Sequence, residues 1–373
     1  MLLASFSEIA GYGLYILLAI VVLLVMITVH EFGHYISGKI LGFTIEEFSI
    51  GFGPKIFSKK KKNGEIFSVR LLPLGGFCAF KGEDKEADDE DCFNNKKPWK
   101  RIIVLASGAL MNYITAIIVI ALMFGVYGHS AIMTYETKGA EPDSIYSEYS
   151  FMDRDVIIKA NGNNVYMLTD VMDAINSKTK ESLVEFTIFR DGKIQNVMIM
   201  LREDANFNNI EDVTKLCNSL GVILETDTAS GEIIGTGFRT TGIKLGFFET
   251  VSRSFEYSFK LAGTIFTVFG QLINGSLGLS AIGGTVTTIS VTAKAIKTGG
   301  LWSLLNITGL VGVNLAVFNL LPIPALDGSR IVFAVIEWIR KKPTNRRIES
   351  IIHTVGLVLI FAFAIIIDLN QCL

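Results

Sequence analysis

The sequence predicts a polytopic α-helical membrane protein with four transmembrane helices, a cytoplasmic membrane-associated β-hairpin and one extracytoplasmic β-rich domain. Three observations lead there. Half of the 373 residues are hydrophobic and the mean hydropathy is +0.45, too apolar for an ordinary soluble chain. Four apolar segments reach the roughly 20 residues a helix needs to cross a bilayer. Between the second and third, apolar and polar residues alternate between strong turn signals.

The four segments are Gly11–Val29, Ile102–Tyr127, about Leu301–Leu321 and about Ile351–Ile367. The first is retained rather than cleaved, because Met1–Ile9 carries no positive charge and no small-residue cleavage pattern follows. Basic residues set the orientation. Lys59–Lys62, Arg70, Lys96, Lys97, Lys100 and Arg101 lie between the first two spans, and Arg340–Lys342, Arg346 and Arg347 between the last two. Both loops are therefore expected in the cytoplasm, with the termini and the Gly128–Gly300 region outside. Leu261–Ala293 is uncharged up to Ala293 but broken by glycines; a single crossing there would put the Arg340–Arg347 loop outside. It reads as an interfacial or re-entrant element, and a pair of half-spans would satisfy the same parity.

Within the external region, Val184–Arg190 and Lys193–Met200 flank Asp191-Gly192, a hairpin signal. Val156–Lys159 reads as a strand ending at Asn161-Gly162, with a short helix near Leu168–Asn176. In the first cytoplasmic loop, Ile66–Arg70 alternates as a strand, and Pro73 with Gly75-Gly76 is expected to turn it before Phe77–Phe80. The expected divisions are 1–128, 129–205, 206–300 and 301–373.

The formal net charge of −2 argues against a nucleic-acid partner. The four cysteines, Cys78, Cys92, Cys217 and Cys372, lie far apart with no CxxC spacing, so they form neither a disulfide framework nor a metal cluster.

The motif that carries chemistry is His30-Glu31-Phe32-Gly33-His34, at the inner end of the first span. Helix positions four apart share a face, so both imidazoles can reach one ion. Zinc would acidify water towards a pKa of roughly 7, and Glu31 stands where it can take the proton. Ionisable groups at membrane depth are costly and mark function by default; the bland alternative is that they sit hydrated at the interface. Catalytic zinc takes three protein ligands, and the third candidate is Asp327, in Asn319-Leu-Leu-Pro-Ile-Pro-Ala-Leu-Asp327-Gly328 at the inner end of the third span. Pro322 and Pro324 break the helix there and bend the chain toward a partner. Asp327 could instead simply open a turn with Gly328 and Ser329. Asn319 could polarise a scissile carbonyl or hold substrate, or make an interhelical hydrogen bond. His129 and His353 read as interfacial, not as ligands.

These motifs and the four-span plan resemble the site-2 proteases, in particular the bacterial group typified by the regulator of sigma-E protease, over nearly the whole chain. Gly51-Phe-Gly-Pro54 and Leu72–Phe77 look like that family's membrane-associated hairpin, and Trp99-Lys-Arg101 also fits. Arg154-Asp155-Val-Ile and Ala160-Asn-Gly162 are similar to its circularly permuted PDZ domain. The resemblance implies Zn2+ as cofactor and the bacterial inner membrane as location, with the PDZ-like domain extracytoplasmic. The activity implied is cleavage of transmembrane segments after an earlier cut, as in anti-sigma factors or remnant signal peptides. It further implies that the hairpin binds unwound substrate; Gly75 and Gly76 would permit that close approach, or only form the hairpin's turn. Ser107-Gly-Ala109 departs from the Gly-Pro step common in the family. The competing reading is a non-catalytic PDZ-containing membrane adaptor. An adaptor needs neither Glu31 nor both imidazoles, and hydrolysis separates the two.

Overall fold

The structure is a computed structural model that describes residues 6–83, 89, 91–138, 144–207, 212–226, 233–235, 237–275 and 284–372. In chain order its elements are α1 (Phe6–Leu41), β1 (Ile45–Lys60), β2 (Ile66–Phe80), α2 (Pro98–Tyr127), β3 (His129–Thr134), β4 (Val156–Ala160), β5 (Asn163–Asn164), α3 (Leu168–Ile175), β6 (Leu183–Arg190) and β7 (Lys193–Met200). There follow α4 (Val213–Leu220), β8 (Glu225–Thr226), β9 (Ile233–Gly235), β10 (Phe238–Ile243), α5 (Phe247–Ile273), α6 (Thr285–Leu320), α7 (Asp327–Arg340) and α8 (Arg346–Cys372). They divide into two compact units, one of Met1–Leu122 with Ser254–Leu373, the other of Met123–Arg253.

The first unit is helical. Four of its helices are long and apolar enough to cross a membrane: Gly13–Leu41, Pro98–Tyr127, Thr287–Leu320 and Arg346–Leu369. The third begins well before the expected Leu301, but Gly300 is non-helical (φ 59°, ψ −140°) and divides α6 into arms of 285–299 and 301–320. The Leu261–Ala293 stretch is thus not one element. Its start belongs to α5, its end to the first arm of α6, and 276–283 lie outside the described residues. Tyr257 Oη donates to Asn306 Oδ1 at 3.3 Å, and the Phe269 and Phe318 rings meet at 5.5 Å. Both contacts join residues at the same sequence offset, so this part of α5 runs lengthwise beside the second arm of α6, in the same direction. The residue after Tyr257, Ser258, has its hydroxyl 3.0 Å from that of Tyr113 in α2.

The hairpin β1–β2 is antiparallel and doubly registered. Ile45–Ile50 face Phe80–Gly76, and Lys55–Lys60 face Arg70–Ile66. The expected turn at Pro73 and Gly75-Gly76 forms within β2: Ile66–Val69 runs alongside Glu47–Ile50 in the same direction and Gly76–Ala79 in the opposite one, so the chain reverses between Arg70 and Gly76. Leu72 opposes Phe52 at that reversal, and Gly76 opposes Ile50 as the chain returns along the other edge of Glu47–Ile50. A second reversal lies at 61–65. There Glu65, almost wholly buried, accepts from Lys39 (2.6 Å) and Lys61 (2.8 Å). Burial opposes its ionisation, but the bonds from Lys39, Lys61 and Asn63 outweigh this and bring the carboxyl down to about 2. The other end of the hairpin is held by a core of Phe43, Ile45, Phe48, Phe80, Phe93 and Val104. Beside it Arg101 is 2 % exposed and ties α2 to α7 through Glu337, which also accepts from Arg346 at the start of α8.

The second unit is built on a six-stranded sheet, with β10-β3-β4-β6-β7 in order and β5 paired to β4. Asp191 and Gly192, both at positive φ, make the β6–β7 turn. The sheet and its core continue past 205. β10 pairs with β3 from Phe238 opposite Thr134 to Ile243 opposite His129, and Leu216, Cys217 and Leu220 of α4 share one core with Ile157, Phe186 and Ile188. The closing strand, Phe-Arg-Thr-Thr-Gly-Ile, has no clean alternation and pairs with a partner distant in sequence, so local pattern does not reveal it.

Candidate metal centre

α1 is a continuous helix through the His30–His34 motif, so the two imidazoles project one turn apart from the same face. Their rings meet edge to face with centroids 4.7 Å apart. Asp327 arrives from the opposite direction. α6 ends at Leu320, the segment containing Pro322 and Pro324 is non-helical, and α7 begins at Asp327 itself. Its carboxylate therefore sits at a helix N-terminus, where the free N–H groups favour negative charge. Gly328 is obligatory at this reversal, because a Cβ there would lie 2.2 Å from the Leu321 carbonyl oxygen. His353 of α8 accepts the Ala325 N–H at Nδ1 (3.2 Å). It supports the broken segment and is not one of the three grouped donors.

The three donors converge. His30 Nε2 to Asp327 Oδ2 is 2.9 Å, His34 Nε2 to His30 Nε2 is 3.1 Å and His34 Nε2 to Asp327 Oδ2 is 3.3 Å. Among the described residues these three form the group able to hold a metal ion. A tetrahedral ion with bonds of about 2.0–2.1 Å needs ligand separations of roughly 3.3 Å, so the triangle fits with slight widening. Tautomers agree: His34 Nδ1 lies 2.8 Å from the Val104 carbonyl oxygen, which only accepts. Nδ1 therefore carries the proton, and the Nε2 lone pair faces Asp327 Oδ2, a juxtaposition a cation relieves. His30 Nδ1 has Asn112 Nδ2 at 3.4 Å, and the Asn112 Oδ1 is buried without a hydrogen-bond partner.

His30, Glu31, His34, Asn112, Asn319 and Asp327 line one cavity of about 680 Å3, whose far wall includes Gly75, Gly76 and Cys78 of β2. The structure thus brings together every residue singled out from the sequence. Gly76 is packed close to Glu31, since a Cβ on it would lie 3.3 Å from Glu31 Cγ and 3.0 Å from the Ser49 carbonyl. Burial pushes the Cys78 thiol up, so it stays protonated and is no nucleophile. Asn112, Val104 and Gly108 of α2 are the functional neighbours that sequence reasoning missed. A polar amide inside an uncharged span was the one signal available.

Two buried imidazoles and a carboxylate converging at ligand spacing, beside a glutamate and within membrane-length helices, define a membrane zinc metalloprotease. Comparison with known proteins agrees. Residues 18–363 match the model of Peptidase family M50, and the chain belongs to that family. A Clostridium perfringens relative, provisionally named a zinc metalloprotease, is 31 % identical over 96 % of this chain and 98 % of its own. One from Fusobacterium nucleatum, named in the same way, is 28 % identical over 95 % and 97 %. Zinc metalloprotease RasP of Bacillus licheniformis is 25 % identical over 92 % and 94 %. The protein is a zinc-dependent metalloendopeptidase of a bacterial membrane.

Proposed function

We propose that this metalloendopeptidase hydrolyses peptide bonds within transmembrane segments of membrane proteins whose ectodomains have already been trimmed. His30, His34 and Asp327 hold the Zn2+ and Glu31 is the general base. The observation that carries the reading is the shared cavity. The triad, Glu31 and the Gly76–Phe80 arm of β2 face one space beside apolar helices of spanning length.

Zinc at this site supplies a Lewis acid that acidifies water and polarises a carbonyl. The remaining work falls to the chain. A scissile bond inside a helix is closed to attack, so substrate must unwind. Gly76–Phe80 pairs with Ile45–Ile50, and its other edge can take up an extended peptide as an added strand. Bonding to the β2 backbone would orient that peptide over the imidazoles, with no Cβ at Gly75 or Gly76 to hold it off. Glu31 takes the proton of the attacking water and returns it to the leaving amine. Asn319, across the cavity, donates its amide to the carbonyl oxygen as charge develops. By the positive-inside rule the site lies near the cytoplasmic face of the inner membrane. The six-strand unit then lies outside and acts as a PDZ-like filter against untrimmed proteins.

The test is cleavage of a tagged, ectodomain-trimmed transmembrane substrate in membranes by wild type and by Glu31→Gln, with zinc content measured in both. Loss of product with zinc retained is expected. Equal cleavage by the variant would remove Glu31 from the mechanism.

A further inference from the structure

The two imidazoles of the metal centre are oriented by different means. His34 is held by the Val104 carbonyl, a backbone group that no side-chain substitution removes. Among the described residues, His30 Nδ1 has only the Asn112 amide as a hydrogen-bond partner, at 3.4 Å. Asn112 is 0 % exposed, sits within the second spanning helix and lines the metal cavity. Its Oδ1 makes no hydrogen bond, and leaving a buried acceptor unsatisfied is costly.

Amide orientation and imidazole tautomer are linked. With Nδ2 toward His30, the amide donates to Nδ1. The ring proton must then sit on Nε2, where it is donated to Asp327 Oδ2 at 2.9 Å and occupies the lone pair a metal needs. Half a turn about the last side-chain bond exchanges oxygen for nitrogen. The orphaned Oδ1 then accepts the Nδ1–H, and the Nε2 lone pair is left toward the ion.

We infer that Asn112 is a positioning residue for the metal: its side-chain oxygen accepts the Nδ1–H of His30 and fixes the tautomer in which Nε2 binds zinc. The inference rests on the reading that His30 is a zinc ligand. Two features favour it over a purely interhelical role for the amide. The partner is a ligand's distal nitrogen, and one half-rotation satisfies both the buried oxygen and the ligand's lone pair.

The test uses the full-length protein in lipid nanodiscs, with zinc affinity measured by competition against a chromophoric chelator and the ligand field read from the Co2+ absorption spectrum. Asn112→Leu, which keeps size and loses the acceptor, should weaken zinc binding by about 10–100-fold. Asn112→Asp keeps an acceptor at the same place, so it should restore affinity to within about 3-fold of wild type on that argument. It should also give a wild-type Co2+ spectrum. Melting of the metal-free proteins controls for packing. Wild-type affinity in the Leu variant would overturn the inference. So would equal loss in the Leu and Asp variants with both metal-free proteins folded. His30→Ala, measured in parallel, isolates the underlying reading: if it retains wild-type zinc affinity, His30 is no ligand and the failure lies there.

Discussion

Replacing Gly108 by alanine adds one methyl group where α2 passes the two imidazoles. In an unremarkable helix interior the change would stabilise by up to about 1 kcal/mol, because alanine is the better helix former. Here the new Cβ would lie 2.5 Å from His34 Nε2, 2.7 Å from His34 Cε1 and 2.8 Å from His30 Cε1. Unstrained heavy-atom contacts begin near 3.5 Å, so the overlap approaches 1 Å. The His34 ring has little freedom to retreat, with the Val104 carbonyl on Nδ1 and Asp327 beyond Nε2. A zinc site tolerates ligand displacements of only about 0.2 Å. Gly108→Ala is therefore expected to weaken zinc binding by about 100-fold or more, equivalent to about 2.8 kcal/mol, and to abolish cleavage. The assay is chelator competition on the purified protein, with far-ultraviolet circular dichroism to show that the helices persist. Wild-type zinc affinity in a fully helical variant would refute the packing of the ligands against α2 and, with it, the centre built from His30 and His34.

Two further outcomes follow from other parts of the molecule. Gly75 sits in β2 at φ 149° with the Phe52 ring directly over its missing side chain; Gly75→Ala should strain the strand by about 1–3 kcal/mol and cut peptide cleavage about tenfold, on the same energy scale, while zinc content is unchanged. Unchanged turnover would remove this turn of β2 from substrate handling. In the second unit, His129 is buried beside Phe124 and Tyr166. Burial, and then the charge of Arg253, push its pKa down to about 4, against the opposing pull of Glu249. The unfolded chain therefore binds this proton at a higher pH than the folded one. Stability is full at neutral pH and should fall, by up to about 3 kcal/mol, as pH drops from about 6.5 to about 4. Hydrogen exchange of the Val156–Ala160 amides in the intact protein at neutral and acid pH measures it. His129→Phe should flatten the dependence, and an equal slope in that variant would sink the assignment.

What the sequence made legible was local. His30 and His34 are one helical turn apart, so their convergence follows from the helix period alone. The Asp191-Gly192 turn needed only its own two residues and the alternation on either side. Asp327 required one further step, a matching depth at the end of another span, which hydropathy and charge supply. What stayed hidden depends on how distant segments meet. The turn through Pro73 and Gly75 returns β2 along the second edge of Glu47–Ile50, whose first edge already carries Ile66–Val69, and no local pattern specifies that double pairing. β10 joins the sheet only because β3 offers an edge far away in sequence. The supports of the metal centre fall in the same class: Val104 acts through a carbonyl that carries no side-chain signature, and Gly108 through the absence of a side chain. Asn112 is different in kind. An amide inside an uncharged span has to be satisfied by some partner, and at this depth on the same bundle the motif histidines are the partners whose chemistry can use it. Asking where that amide goes leads from the sequence of α2 to the distal nitrogen of His30 without any periodicity to follow.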